Sequence, residues 1–400
     1  MLPEQLSNKV CSLRPSEDKL TFAAIFTLDT YGNVKEQKFG RTIINSNYRF
    51  AYHEVQHIIE TKTTIIPAEI SLSSKTYKVD EKAKEAILQL NTTAQRLRKK
   101  RMQNGAISFD KEEVRFTLDE EKTPTDVFVK TSKEANKLIE EYMLLANKKV
   151  SEFIAKEDGK KTFVFRVHDK PDEEKLDQLK SVISGFGYSL NLASPKTTAH
   201  SINKLLKDIS NKPEQTLIDT LTIRSMSKAK YTTQNIGHYG LAFDYYSHFT
   251  SPIRRYPDVV AHRLIQHYLD AKKPPKAEVY EGVMKHCSQM EILATKAERD
   301  SIKFMQVKYM QERIGEKFIG IVSGVVERGL YVEIEGNKCE GMARPQDIPG
   351  DFYFFDERNY AFVGKKTKTT IQLGDRVTIK VTAADPIKRH LDFNIVGHVE

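Results

Sequence analysis

The sequence contains few cysteines and no long apolar run. Its three cysteines, Cys11, Cys287 and Cys339, are far apart and odd in number. This pattern argues against a disulfide framework or a zinc site of the CxxC type, and it favours a reducing compartment. The amino-terminal stretch MLPEQLSNKV has neither the basic start nor the apolar core of a signal peptide, and the apolar runs are too short to span a membrane. We therefore expect a cytoplasmic protein with no membrane partner.

The sequence also lacks any Pro, Gly or Ser tract that would indicate a disordered linker. Hydrophobic residues make up 39% and charged residues 29% of the 400 residues, which is typical of a globular chain. That length exceeds one ordinary domain, so two or more folded units are expected. The net charge of +9 and the pI near 9.1 favour a polyanionic partner, because clustered Lys and Arg release counterions from phosphates.

Hydrophobic periodicity predicts several local elements before residue 190. Residues 20–45 form a predicted β-hairpin around Tyr31, Gly32 and Asn33, because Gly and Asn tolerate positive φ. The other predicted elements are a helix over 79–102, a helix that begins at a possible capping box of Thr131 and Glu134, a strand over 163–169, and a helix that begins at Pro171 and Asp172.

The helix over 79–102 ends in a basic run, RLRKKR at 96–101. A charge run of this kind is more often a solvated helix face than a surface that contacts phosphates. The sequence alone leaves both interpretations open.

Near residue 315 the pattern changes from helical spacing to short alternating segments. GEKFIGIVSGVVERGLYVEIEG, which contains Gly324 and Gly329, alternates apolar and polar residues, and LGDRVTIKVTAAD does so again. Several short strands with Gly turns within about 80 residues predict a small β-barrel. We therefore place one domain at 1–314 and a second at 315–397.

The segment most informative about function is HYGLAFDYYSHFTSPIRRYPDVVAHR at 238–263. Pro257 suits the first turn of a helix, which leaves 251–256 as a rigid loop just before a helix N-terminus. The positive end of the helix dipole and the planar forks of Arg254 and Arg255 match phosphate oxygens. From physics alone, arginines in structural ion pairs explain the pattern equally well.

This segment resembles the signature of the RNB catalytic domain in the ribonuclease II/R family. Further stretches match that family in the same order: MLPEQLSNKVCSLRPSEDKLTF at the start, KEANKLIEEYMLLAN at 133–147, FRVHDKPDEEKL at 165–176 and KAERDS at 296–301. The detail is closer to the ribonuclease R branch than to ribonuclease II. The C-terminal domain resembles the S-one-type OB fold, which binds single-stranded RNA. The resemblance implies an α+β body, a mixed sheet wrapped by helices, followed by a small all-β OB barrel.

The resemblance also implies roles for individual residues. Arg254 matches the catalytic arginine that grips the scissile phosphate, and Glu298 matches a glutamate near the terminal nucleotide. Phe109 matches a phenylalanine that stacks on bases at the 3′ end. Tyr52 and Glu141 match positions that select RNA over DNA, where a carboxylate can accept a bond from a 2′-hydroxyl. Without the family, the two aromatic residues would more often lie in a core and the two glutamates on solvated helix faces.

Three further residues are expected to contact RNA. Arg255 adds a second guanidinium fork to the loop before the helix. Phe318 and Tyr331 lie on predicted barrel strands where OB folds display stacking rings, with Lys317 and Arg328 nearby for the RNA backbone. Either ring could instead fill the small barrel.

The reaction implied by the resemblance is hydrolysis of RNA from its 3′ end to nucleoside monophosphates. It uses two magnesium ions, which several converging carboxylates must hold. In the family these aspartates precede the MLPE stretch, and no other such cluster occurs in the sequence. Met1 coincides with an internal methionine of the family, so we expect a fragment without metal ligands that is inactive as it stands. We expect a monomer whose partner is single-stranded RNA rather than DNA.

Two other functions are compatible with the sequence. A non-catalytic RNA-binding protein would use the same channel and barrel without cutting. A serine or histidine hydrolase built on Ser247, His248 and Asp244 is the weaker alternative, because these residues lack a nucleophile-elbow motif.

Overall fold

The computed structural model describes residues 2–108, 113–156, 161–210, 212, 214–356 and 361–398. The chain divides into two compact units, each assembled from three separate stretches. The first unit consists of 1–108, 132–170 and 228–290, and the second of 109–131, 171–227 and 291–400. The domain boundary placed at 314 stays a prediction.

Among the described residues, the α-helices all lie before residue 312, and β-strands occur throughout. The helices are α1 (Tyr52–Thr61), α2 (Glu81–Gln103), α3 (Glu134–Ala155), α4 (Glu173–Ser184), α5 (Pro195–Asp208), α6 (Gln215–Ser225), α7 (Tyr256–Leu269) and α8 (Ala277–Gln311). The strands before residue 300 are β1 (Asp18–Leu28), β2 (Val34–Asn45), β3 (Ile65–Ile66), β4 (Tyr77–Lys78), β5 (Glu113–Leu118), β6 (Pro124–Lys130), β7 (Phe165–Val167) and β8 (Lys230–Thr232). The later strands are β9 (Lys317–Val326), β10 (Gly329–Ile334), β11 (Glu340–Ala343), β12 (Tyr353–Asp356), β13 (Ala361–Gly364), β14 (Thr370–Gln372), β15 (Arg376–Asp385) and β16 (His390–His398). Within the described ranges, no helix combines the length and the apolar character needed to cross a bilayer.

The α+β class and the final barrel are confirmed. In the described part of the chain, the strands that precede the barrel pair as four separate antiparallel ribbons: β1 with β2, β3 with β4, β5 with β6, and β7 with β8. These residues therefore do not form the single mixed sheet that was expected. Four of these strands have only two or three residues, which is too short to build a wide sheet.

The predicted hairpin is confirmed as β1 and β2, which pair antiparallel along their length. Asp29 closes its turn by accepting a hydrogen bond from the backbone N–H of Asn33 at 2.8 Å. Gly32 has φ of +78°, in the left-handed region that favours glycine. Phe26 and Phe39 make an edge-to-face contact with 6.0 Å between ring centroids. Both rings lie on one face of the hairpin, and that face packs in the core of the first unit.

The capping signals in the sequence predicted the start of one helix correctly and the start of another wrongly. Asp172 precedes α4 as predicted, and its carboxylate accepts the N–H of Lys175 at 3.2 Å. The predicted capping box of Thr131 and Glu134 is wrong. The residue that caps α3 is Lys133, whose N–H donates to Asn136 Oδ1 at 3.1 Å, so the helix begins two residues later than that box requires.

The predicted barrel is confirmed as a closed sheet of order β10-β11-β16-β15-β9. Its neighbouring strands are antiparallel except β11 and β16, which run parallel. Val322, Leu330 and Phe393 are among the fully buried side chains that fill its interior. Gly341 passes so close to Phe393 that a Cβ placed there would lie 2.5 Å from the ring.

Candidate functional site

A tight turn stands directly before α7, as the sequence predicted. The backbone N–H groups of Arg254 and Arg255 both donate to the carbonyl of Ser251, at 3.3 Å and 3.0 Å. Pro257 lies in the first turn of α7, which confirms its predicted place. The turn therefore presents its side chains at the positive end of the helix dipole.

The two arginines of this turn have different surroundings. Arg255 Nη2 lies 2.7 Å from Oδ1 of Asp258, a fully buried carboxylate that also accepts the N–H of Ser251 at 2.7 Å. Arg254 is exposed, and among the described residues its side chain makes no ion pair or hydrogen bond. The structural ion pair that the sequence left open thus belongs to Arg255. The contact of Arg255 with RNA stays a prediction. The guanidinium of Arg254 is the one of the two that is available to bind a phosphate.

Asn147 on α3 holds the segment that leads into the turn. Its side chain is buried, and its Oδ1 accepts the N–H groups of Phe249 and Thr250 at 2.8 Å and 3.3 Å. Its Nδ2 donates to the hydroxyl of Tyr246 at 3.1 Å. Sequence reasoning missed this residue, because helical spacing gives no sign that an asparagine contacts a loop 102 residues further along the chain.

Two imidazoles of the 238–263 segment are largely enclosed. His238 stacks on His168 with 5.0 Å between ring centroids, and His248 Nδ1 lies 2.8 Å from the hydroxyl of Tyr231. Burial, reinforced by the neighbouring His168, lowers the pKa of His238 to about 3. Burial and nearby arginines lower the pKa of His248 to about 2. Both rings are therefore neutral near pH 7 and do not act as cationic phosphate ligands.

The contacts of Ser247 and His248 do not fit the alternative of a serine or histidine hydrolase. Ser247 is buried, and its hydroxyl donates to the carbonyl of Val164 at 2.6 Å. The ring nitrogen of His248 pairs with Tyr231 instead. These residues therefore form no nucleophile and base pair.

Glu141 on α3 is a buried, paired carboxylate. Arg101 on α2 reaches it with two nitrogens, Nη2 to Oε1 at 2.5 Å and Nε to Oε2 at 3.4 Å. Both residues line a cavity of about 320 Å³, together with Lys100, Lys148 and Phe243 among others. Glu141 is thus not the solvated helix charge expected without the family, and it faces a mainly cationic cavity.

The basic run at the end of α2 bonds to its own chain. Arg96 donates to the carbonyl of Thr30, and Lys100 Nζ lies 2.6 Å from Asn33 Oδ1. Arg101 pairs with the carboxylate described above. Three of the six residues in this run therefore hold the hairpin turn or a buried acid, a role that neither interpretation of the run included.

The remaining predicted residues of the first domain lie on different structural elements. Tyr52 is the first residue of α1 and is 48% exposed, so it is not a core residue. Glu298 is exposed on α8, in the second unit. Phe109 lies outside the described residues, and its role stays a prediction.

The two barrel aromatics differ in what they contact. Phe318 on β9 packs against the buried core of the barrel. Tyr331 on β10 pairs with Gly324, and a Cβ at that glycine would lie 3.3 Å from the tyrosine ring. Lys317 and Arg328 are exposed on the same two-strand region. Tyr331 is therefore the ring better placed to meet a ligand, while Phe318 partly fills the barrel.

The described residues do not fit a two-magnesium site. Among them, no three His, Cys, Asp or Glu side chains converge as metal ligands would. Near the turn, Oδ1 of the buried Asp258 is held by Arg255 and Ser251, its Oδ2 has no hydrogen-bond partner among the described residues, and Asp244 is exposed. The expectation that this chain supplies no metal ligands stays a prediction.

Known proteins match the chain over its whole length. The RNB domain matches residues 1–271 and the S1 RNA binding domain matches residues 311–395. The chain is 36% identical to ribonuclease R of Aquifex aeolicus over 403 residues, which is 100% of this chain and 55% of the relative. It is 35% identical to ribonuclease R of Thermotoga maritima over 408 residues, again 100% of this chain and 55% of the relative. The chain spans about half the length of the curated relatives it matches.

A solved structure agrees with these matches. It is Mycoplasma genitalium RNase R in complex with ribose methylated single-stranded RNA, which aligns with a TM-score of 0.88 at 25% identity and covers 99% of this chain and 60% of that chain. The RNB match extends over more than half of the chain and includes both the turn before α7 and the Arg101–Glu141 pair. The chain belongs to the RNB domain family.

Proposed function

We propose that this chain provides the RNA-handling part of a 3′-to-5′ exoribonuclease of the ribonuclease R type, which hydrolyses single-stranded RNA to nucleoside monophosphates. The observation that carries the proposal is the exposed, unpaired guanidinium of Arg254 on a turn held by Asn147 and Asp258. A fork fixed at the positive end of α7 can bind phosphoryl oxygens and stabilise the charge that develops on them. The relatives named ribonuclease R, and the solved relative that holds RNA, support the same activity.

The proposal separates RNA binding from cutting. Arg254, Glu298, Glu141, Tyr52 and Tyr331 would bind the strand, and the S1 domain would add affinity by stacking. Phe109, Arg255 and Phe318 complete the set of residues proposed to contact RNA. Hydrolysis in this family is expected to use magnesium, and the described residues gather no carboxylates to hold it. We therefore propose that the 400 residues alone bind single-stranded RNA, as a cytoplasmic monomer, but hydrolyse it slowly or not at all.

The test is Arg254→Ala in the gene product that contains this sequence, with two measurements. The release of nucleoside monophosphates from a uniformly labelled single-stranded RNA, with magnesium, should fall by about 10²–10³-fold, the usual effect of removing one donor to a developing oxyanion. The Kd for the same RNA, measured by fluorescence anisotropy without metal, should change by less than about threefold, because one of several phosphate contacts is lost.

The matched control is Arg41→Ala, which removes an exposed arginine of β2 outside the 238–263 segment. It should leave cleavage and affinity close to those of the parent protein. Equal losses of cleavage and binding in Arg254→Ala would show that the arginine only binds RNA, and would contradict its catalytic role.

A second candidate is a non-catalytic RNA-binding protein, which is favoured by the lack of a converging acid cluster among the described residues. The same assay distinguishes the two functions. A gene product that binds RNA and releases no monophosphate with magnesium would support this candidate, and processive release would exclude it.

A further inference from the structure

We infer that Arg101 is a positioning residue that sets the preference for RNA over DNA by fixing the carboxylate of Glu141. This inference rests on the proposed function, in which Glu141 accepts a hydrogen bond from a ribose 2′-hydroxyl. It adds a second residue, on another helix, that does not itself need to touch the nucleic acid.

The geometry of the pair is that of a fork on a carboxylate. Arg101 Nη2 and Nε contact the two different oxygens of Glu141, at 2.5 Å and 3.4 Å. A planar guanidinium bound in this way fixes both the position and the plane of its partner, which a lysine ammonium cannot do. A carboxylate has roughly four acceptor positions, so one on each oxygen remains after the fork is bound. A ribose 2′-hydroxyl could donate a hydrogen bond to either of these remaining positions on Glu141.

The surroundings make Glu141 the main partner of Arg101. The two side chains are 8% and 4% exposed, whereas Glu140, 3.7 Å from the same guanidinium, is 54% exposed. A partly solvated charge at that distance interacts weakly. Arg101 therefore directs its fork into the protein, at a carboxylate that lies on the wall of the cavity.

The cavity itself suits a sugar and phosphate. Its walls carry Lys148 and Lys149 beside Glu141, and the Lys148 ammonium lies 4.9 Å from the centre of the Phe243 ring. The lysines can attract any nucleic acid, because RNA and DNA carry the same phosphates. A fixed acceptor distinguishes the two, because only RNA offers the 2′-hydroxyl proton.

The experiment measures the ratio of Kd for single-stranded DNA to Kd for RNA of the same sequence, using the whole chain and fluorescence anisotropy. Glu141→Gln should lower this ratio by about tenfold, since a hydrogen bond to a charged acceptor is lost. Arg101→Lys keeps the charge and loses the fork. It should lower the ratio by about three- to tenfold through weaker RNA binding, with DNA binding unchanged.

The matched control is Lys99→Gln, which removes an exposed positive charge from the same helix. It should weaken RNA and DNA binding to the same small extent and leave the ratio unchanged. The double variant Arg101→Lys with Glu141→Gln should show no further fall below Glu141→Gln alone, because Arg101 acts through the acid.

The outcomes separate the two ideas. An unchanged ratio in Glu141→Gln would overturn the proposed role of the acid. A lowered ratio in Glu141→Gln together with an unchanged ratio in Arg101→Lys would overturn the inference about Arg101 alone. Equal weakening of RNA and DNA by Arg101→Lys would assign the arginine to phosphate binding or to folding. If Arg101→Lys does not fold, Arg101→Gln with Glu141→Gln replaces the ion pair by neutral amides, and its ratio should equal that of Glu141→Gln.

Discussion

Arg254 and Arg255 are neighbours of the same type with opposite surroundings, and the cause lies three residues further on. Asp258 follows Arg255 at a spacing that brings both onto one side of the first turn of α7, where they pair at 2.7 Å. No acid stands at the matching position for Arg254, which is occupied by Pro257. The sequence RRYPD therefore contained enough information to separate the two roles, once the helix start was known.

The enclosed imidazoles make the native state sensitive to acid. The folded pKa values of His238 and His248, about 3 and about 2, lie below the ordinary value of 6.5. Below pH 6.5 the unfolded chain takes up protons that the native state excludes. Each histidine then lowers the free energy of unfolding by up to about 1.4 kcal/mol per pH unit, down to its folded pKa.

We therefore expect the urea concentration at the midpoint of unfolding to decrease as the pH is lowered from about 6.5, and to go on decreasing toward the folded pKa values of about 3 and about 2. His248→Gln should be less stable at every pH, because it loses the contact with Tyr231, but its fall with pH should be smaller. His286→Gln, which changes an exposed residue of α8, is the control. The same pH slope in His248→Gln and in the parent would contradict this account.

At the scale of elements, local signals were reliable where the local contacts decide the structure. The hairpin, the start of α4 and the start of α7 all follow from turn and cap residues within a few positions. The start of α3 was predicted wrongly although Asn136 caps Lys133 locally, and the N–H of Ala135 also donates to the side chain of Gln56 on α1 at 2.9 Å. The bond to α1 adds to this local cap, and no pattern near residue 131 predicts that bond.

The barrel strands offer a prediction at the same scale. A Cβ at Gly341 would lie 2.5 Å from the Phe393 ring and 2.8 Å from the Leu391 carbonyl, whereas one at Gly397 would meet nothing within 4 Å. Gly341→Ala should lower the free energy of unfolding by about 1–3 kcal/mol, the usual cost of overpacking. Gly397→Ala should change it by less than about 0.5 kcal/mol.

Chemical denaturation followed by circular dichroism measures both variants. Equal stability of Gly341→Ala and Gly397→Ala would show that the barrel relaxes around the added methyl group, and that the close approach of β11 to Phe393 is not rigid.

At the scale of the whole molecule, charge counting overstates the attraction for nucleic acid. The formal net charge is +9, and the pairs of Arg101 with Glu141 and Arg255 with Asp258 add nothing to it, but Arg96 and Lys100 bond to neutral groups of the chain. The logarithm of RNA affinity should fall with the logarithm of salt concentration by about 0.7 for each phosphate neutralised. With about seven phosphates neutralised we expect a slope of about −5, shallower than the value of about −6 for nine phosphates.

Anisotropy titrations of single-stranded RNA in a series of salt concentrations measure this slope. A slope near that for nine phosphates would mean that Arg96 and Lys100 also contact RNA, and would contradict the assignment of these two residues to structure.

The two-unit organisation was not predictable from the sequence. Each unit joins three separate stretches, and local periodicity gives no sign of which stretches meet. The same limit applies to the site. The turn of Arg254 could be read from its own residues, whereas Arg101 and Glu141 are 40 residues apart and Asn147 and Phe249 are 102 apart. Contacts of that kind depend on the completed fold.

One last consequence concerns the tip of the hairpin. Lys100 donates a hydrogen bond to Asn33 at that tip, and the next residue along α2, Arg101, forms the ion pair with Glu141. Two adjacent residues in the last turn of α2 therefore link the length of a surface turn to the orientation of a buried carboxylate. Exposed loop tips usually accept added residues freely, but here an insertion would pull on the helix end that keeps the acid in place. The hairpin turn is exposed and looks tolerant of insertions, but its length is constrained by the ion pair between Arg101 and Glu141.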